Sequence, residues 1–108
     1  MTFNLSSLSI GQTFHSRGGS AYTLTEIRTT GRGAGITIQR SSTGKNVRVS
    51  LRLINSCLAR LQAGEQLRYQ ANQPQGGISF TVAVEAGVAF ALSSYLKRDD
   101  ANRCYVAA

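Results

Sequence analysis

Between residues 27 and 64 the chain has seven basic side chains and no acidic one. The basic residues are Arg28, Arg32, Arg40, Lys45, Arg48, Arg52 and Arg60. Elsewhere basic and acidic residues balance, so the net charge of +7 comes from this window. A fold that concentrates one sign of charge attracts a polyanion, and arginine forms forked contacts to phosphate. We therefore predict that these side chains contact the phosphate backbone of a nucleic acid.

Catalytic and metal-binding patterns are incomplete in this sequence. His15 is the single histidine, so Cys57 or a serine nucleophile would depend on it as a general base. One histidine and two separated cysteines supply fewer ligands than a structural zinc site takes. The carboxylates are not clustered as in a magnesium site, and we expect Glu26 and Glu85 to pair with arginine or to cap a helix. The prediction is a non-enzymatic protein without metal or cofactor.

Two glycine-rich stretches resemble phosphate-binding loops in composition alone. In the stretch that contains Lys45, Gln39 stands where a Walker loop has glycine, and Asn46 stands where it has serine or threonine. The glycines between residues 31 and 35 lack the last interval of the dinucleotide-binding pattern and the helix that follows it. Both stretches are therefore predicted to be turns.

An antiparallel β-meander of three to five strands is predicted to carry most of the basic residues. Its strands are Thr13–Ser16, Ala21–Arg28, Ile36–Arg40 and Lys45–Val49, separated by turn-forming residues. Alternation places Tyr22, Leu24, Ile36, Ile38, Val47 and Val49 on one face and Thr23, Thr25, Thr37, Gln39 and Arg48 on the other. The loop with Arg28 and Arg32 then lies roughly 17 Å from the turn between Arg40 and Lys45. We predict a basic stripe, with Arg48 between its ends.

The clearest helix is predicted over residues 51–63. Ser50 is a good N-cap, and Gly64 is a typical residue just beyond a helix end. An apolar stripe along this helix is predicted to cover the sheet, and it consists of Leu51, Ile54, Cys57, Leu58 and Leu61. Arg52, Ser56 and Arg60 project to the opposite side.

The second half of the chain allows two interpretations. A short strand is predicted within residues 66–70, and residues 72–77 have loop composition. Apolar alternation favours a strand over 78–84, and the alanine-rich continuation favours a helix over about 86–97. The alternative is one long helix from about 80 to 97. The last residues, 99–108, are predicted to fray.

The apolar segment 78–96 supports a second hypothesis for function. If its large side chains cannot all be buried in one copy, part of its surface pairs with a second copy or another protein. The chain would then be a self-associating or partner-binding module with no nucleic-acid role. The predicted interface residues are Ile78, Phe80, Val82, Phe90 and Leu92. A third hypothesis is a ligand cavity between sheet and helix.

The sequence as a whole predicts one α+β domain, 1–108. No apolar run is long enough to span a bilayer, and the start lacks a secretion signal, so we expect a cytoplasmic protein with no membrane role. In that compartment Cys57 and Cys104 are expected to stay reduced. Duplex DNA ranks above single strands because the predicted polar face has no aromatic side chain for stacking: Tyr22 points inward and Tyr69 is unassigned.

Overall fold

The computed structural model describes residues 3–68 and 82–108. A short 3-10 turn, Leu5–Ser7, precedes the first strand. In chain order the remaining elements are β1 (Thr13–His15), β2 (Ala21–Arg28), β3 (Gly35–Arg40), β4 (Asn46–Ser50), α1 (Leu51–Gln62), β5 (Leu67–Arg68), α2 (Val82–Ala91), β6 (Leu96–Asp99) and β7 (Cys104–Ala107). Strands β1 to β4 form an antiparallel sheet in sequence order, and β7 lies between β5 and β6 in a second antiparallel sheet. The predicted α+β class and the meander are confirmed.

The predicted apolar face of the meander is buried. Leu24 pairs with Ile38, and Ile36 pairs with Val49, and all of these side chains are at most 1% exposed. Between Leu24 and Glu26 the register of β2 against β3 shifts by one residue, which is a β-bulge. Strict alternation from Leu24 would place Glu26 on the buried face. Because of the bulge, Glu26 lies opposite Thr37 on the exposed face instead.

Helix α1 forms for the predicted reasons. The Ser50 hydroxyl accepts a hydrogen bond from the Leu53 N–H at 3.2 Å, which is the N-cap contact. The helix ends at Gln62, one residue before the predicted end. Its buried residues belong to the predicted apolar stripe, and they are Ile54, Cys57, Leu58 and Leu61. The stripe packs against β3, β4 and α2 and closes the core.

The C-terminal part differs from its prediction in position. A second helix is present, but it covers Val82–Ala91 rather than 86–97, so residues 82–84 are helical and not a strand. Its residues 86 and 88–91 are buried, because α2 lies inside the core rather than on its surface. After Leu92 the chain turns, and residues 96–99 form β6. The predicted strand residues 78–81 and the loop 72–77 lie outside the described part of the chain.

The last residues are paired in the second sheet. Strand β7 pairs with β5 and β6, and Cys104 and Tyr105 are buried. The predicted short strand within 66–70 is present as β5 over its described residues. Both cysteines are free thiols, as expected for a reduced protein. No helix in residues 3–68 or 82–108 is long and apolar enough to cross a membrane.

Candidate functional site

Four of the seven predicted basic residues surround the β2–β3 loop, residues 29–34. Arg28 ends β2, Arg32 lies in the loop, Arg48 lies in β4, and Arg52 lies in the first turn of α1. Two of the side chains meet over Gly33, since a Cβ at that glycine would lie 2.6 Å from Arg28 Nη1 and 3.4 Å from Arg48 Nη2. We call these residues the loop cluster: Arg28, Arg32, Arg48 and Arg52.

The loop cluster is held together by the connection between β4 and α1. The helix starts at the residue after the strand, so Arg52 follows β4 without an intervening loop. The Leu51 N–H donates to the Ala34 carbonyl oxygen at 2.8 Å and ties the helix start to the β2–β3 loop. At Gly35 (φ 152°) a Cβ would collide with the Val49 carbonyl oxygen, so a residue without a side chain is needed for this close approach.

One carboxylate lies beside two of these arginines. Glu26 Oε1 accepts a hydrogen bond from Arg48 Nη1 at 3.2 Å, and its Oε2 lies 3.7 Å from Arg28 Nη2. The Thr37 hydroxyl donates to the same carboxylate at 3.1 Å and accepts from Arg48. The Glu26 side chain is 49% exposed, so solvent weakens these ion pairs. Their role is to orient two guanidinium groups, and one carboxylate neutralises one of the two positive charges.

Arg32 and Arg52 both line a cleft of about 670 Å³. The cleft is lined by Gly31, Arg32, Ala34, Ser50, Leu51, Arg52 and Asn55. Among residues 3–68 and 82–108, no carboxylate lies within ion-pair distance of either arginine. Their guanidinium groups are therefore available to an anion from outside the chain.

The other three predicted basic residues lie elsewhere. Arg40 and Lys45 flank the β3–β4 turn at the opposite end of β3, where Arg40 Nη2 donates to the Ser20 hydroxyl at 2.9 Å. Arg60 lies in the last turn of α1 and pairs with Glu65 at 3.5 Å. The predicted even stripe is therefore divided into the loop cluster, a smaller basic pair at the far end of the sheet, and one arginine on the helix.

Two of the five predicted interface residues, Phe90 and Leu92, are buried rather than at the surface. Phe90 is 1% exposed and Leu92 is 0% exposed, because both pack inside the chain's own core. They are thus unavailable to a second copy, which corrects the sequence-based interpretation. Ile78 and Phe80 lie outside the described residues, and Val82 is described as the first residue of α2.

A buried ionic contact joins three distant parts of the chain. The sequence did not predict that these three residues would meet. Glu85 in α2 is 3% exposed and accepts from Arg17 Nε at 2.8 Å and Nη2 at 3.1 Å. The Tyr105 hydroxyl donates to Glu85 Oε1 at 2.9 Å. The expected pairing of Glu85 with an arginine is confirmed. Nothing in the sequence indicates which arginine, because Arg17 and Glu85 are 68 residues apart.

The candidate nucleophile Cys57 lies in the hydrophobic core. Cys57 is 0% exposed, and this burial raises the pKa of its thiol from 9.0 to about 11, partly opposed by the Arg60 charge. The thiol is therefore protonated near neutral pH.

In the described ranges, 3–68 and 82–108, no three His, Cys, Asp or Glu side chains are placed to hold one metal ion.

Comparison with known proteins assigns no family to this fold. No protein-family model matches the sequence, and neither a curated protein nor a solved structure matches the chain. The loop cluster and the cleft beside it are therefore the features from which we infer function.

Proposed function

We propose that this protein binds nucleic acid through its phosphate backbone, with duplex DNA as the preferred form and the loop cluster as the main contact. The observation that carries the proposal is the convergence of four arginines on one short loop. With Glu26 as their carboxylate neighbour among the described residues, four positive charges and one negative charge leave a local net charge of +3. A fixed concentration of guanidinium groups is the usual electrostatic footprint of a phosphate-binding surface.

The basic pair at the far end of the sheet supports an extended ligand. Arg40 ends β3 and Lys45 precedes β4, whereas the loop cluster lies at the other end of β3. The six residues of β3 place the two groups roughly 17 to 20 Å apart. Double-stranded DNA carries one charge per about 1.7 Å of its axis, so a duplex lying along β3 presents phosphates to both groups.

The chemistry of the exposed sheet face supports backbone contact rather than base stacking. Thr25, Asn46 and Arg48 are exposed there, and Tyr22 is 3% exposed because it points into the core. In the part of β1 to β4 that faces outward, no phenylalanine or tyrosine is available as a platform for unpaired bases. Polar side chains and arginines are typical of surfaces that contact phosphate and sugar.

Fluorescence anisotropy with a short labelled duplex over a series of salt concentrations tests the proposal. Neutralising about five phosphates, three at the loop cluster and two at Arg40 and Lys45, predicts that the logarithm of the association constant falls with the logarithm of salt concentration with a slope of about −4.5. In an Arg32→Ala/Arg52→Ala double variant the affinity should fall by at least about tenfold, and the slope should change by about 2.

A charge-matched variant separates site contacts from net charge. Lys97→Ala/Arg103→Ala removes the same charge from exposed positions of the C-terminal hairpin and should change affinity by less than about threefold. Equal losses of duplex affinity in the two double variants would refute the loop cluster as the contact site. Absence of binding by the wild-type protein at low ionic strength would refute the nucleic-acid proposal itself.

A further inference from the structure

The cleft lined by Arg32 and Arg52 is larger than contact with a phosphate backbone requires. Exposed arginines bind backbone phosphates from a flat surface, without any enclosing wall. Clefts that enclose small organic molecules measure about 300 to 1,000 Å³, and this cleft measures about 670 Å³. It therefore has room for a nucleoside as well as for its phosphate.

The polar side chains that line the cleft offer hydrogen-bond donors. The Asn55 side-chain oxygen accepts from the Phe3 N–H at 2.6 Å, so its amide NH₂ is the polar group that remains for a ligand. The Ser50 oxygen accepts from the Leu53 N–H, so its hydroxyl hydrogen remains as a donor. Together with the two guanidinium groups, they suit a ligand rich in acceptors, such as a phosphate and the edge of a base.

The cleft also offers surfaces for the flat part of such a ligand. Leu51 and Ala34 supply apolar lining next to the donors. A guanidinium group is planar and stacks on a base, so Arg32 and Arg52 can contact a base as well as a phosphate. A base inside a duplex is stacked between its neighbours and enters a cleft only if it is flipped out, which costs a few kcal/mol. An unpaired base at an overhang can enter at low cost.

We propose that this cleft binds one unpaired nucleotide, phosphate and base together, so that a duplex with a single-stranded overhang binds more tightly than the same duplex with blunt ends. The proposal rests on the proposed function, since Arg28 and Arg48 of the loop cluster keep duplex phosphates, whereas Arg32 and Arg52, which line the cleft, exchange a duplex phosphate for the unpaired nucleotide. The same nucleoside phosphate chemistry is present in free mononucleotides, which should occupy the cleft alone.

Anisotropy with a blunt duplex, the same duplex with a short overhang, and adenosine monophosphate as competitor tests this assignment. We expect the wild-type protein to prefer the overhang by about fivefold or more, which is the contribution of one stacked base. Excess adenosine monophosphate should remove that preference, and it should weaken binding of the blunt duplex no further than the Arg32→Ala/Arg52→Ala change does. Stronger binding of the mononucleotide than of either duplex would overturn the assignment to a nucleic-acid end.

An amide-to-carboxylate change at Asn55 tests whether its NH₂ group contacts the nucleotide. Asn55→Asp retains an oxygen that accepts from the Phe3 N–H but replaces the donor in the cleft by a negative acceptor, so the overhang preference should disappear. Gln62→Glu makes the same chemical change in the last turn of α1 and should keep the preference. If thermal melting shows that Asn55→Asp is unfolded, Arg52→Ala replaces it, with the same expected loss of preference.

The outcomes separate the two proposals. Equal wild-type affinity for the two duplexes, or a folded Asn55→Asp variant that keeps the full preference, overturns the nucleotide assignment and leaves the proposed backbone binding standing. Failure to bind either duplex at low ionic strength overturns the proposed function.

Discussion

Replacement of Arg17 by methionine should destabilise the fold more than replacement of its partner Glu85 by glutamine. The Arg17 side chain is 36% exposed, whereas the Glu85 side chain is 4% exposed. Loss of Arg17 leaves a carboxylate buried with the Tyr105 hydroxyl and without its positive partner, which costs about 3 to 5 kcal/mol. In Glu85→Gln the Arg17 guanidinium group still reaches water, and the new amide oxygen still accepts from Tyr105. This replacement should therefore lower the free energy of unfolding by only about 1 to 2 kcal/mol.

Urea unfolding followed by circular dichroism at neutral pH measures both free energies of unfolding. Arg98→Met is the matched control, because its pair with Asp100 is exposed and its loss should change the free energy by less than about 0.5 kcal/mol. If Glu85→Gln lowers the free energy of unfolding as much as Arg17→Met, or if Arg17→Met lowers it no more than the control does, the buried carboxylate does not depend on Arg17 for its stability.

Three further predictions concern Cys57, Gly87 and Glu26. The folded state binds the Cys57 proton more tightly than the unfolded state, so stability present below pH 9.0 is lost as the pH rises toward about 11. Between pH 9.0 and about 11, the free energy of unfolding of the wild type, measured with urea, should fall by about 2 kcal/mol more than that of Cys57→Ala. Gly87→Ala brings a Cβ into the buried Val49 side chain and should lower the unfolding free energy by about 1 to 2 kcal/mol, measured in the same way. Glu26→Gln removes the carboxylate shared by two arginines and should tighten duplex binding by about threefold to tenfold in anisotropy, whereas weaker binding would contradict the assigned role of this surface.

The first half of the fold was predictable because its signals are local. Ser50, the apolar stripe behind it and Gly64 mark the ends and the buried face of α1 within one stretch of sequence. The meander likewise follows from two-residue alternation and turn residues, with strands that pair with their sequence neighbours. Each of these features depends on residues near one another in the chain, so no tertiary contact was needed to infer it.

The C-terminal part was not predictable in detail because its apolar residues have no clear period. Helix α2 is buried on several sides, so its sequence shows neither a stripe nor an alternation that would mark its ends. Lys97 and Arg98 resemble the charged last turn of a helix, but both lie in β6. Their conformation depends on pairing with Val106 and Tyr105 in β7, which a local pattern cannot indicate.

The division of the seven basic residues depends on tertiary geometry in the same way. In a meander, successive turns lie at alternate ends of the sheet. Basic residues near successive turns are therefore expected at both ends, and their spacing alone predicts a stripe from one end to the other. The direct passage from β4 into α1 adds Arg52 to one end, where it lines the same cleft as Arg32. The bulge in β2 turns Glu26 outward against Arg48. One end of the sheet thereby gains a cleft whose two arginines have no carboxylate partner among the described residues, together with a carboxylate that orients the neighbouring arginines. At the other end, the cleft beside the β1–β2 turn is lined by Arg17 and Glu85, which pair with each other. This asymmetry is the physical reason to expect that ligand affinity depends on position as well as on net charge.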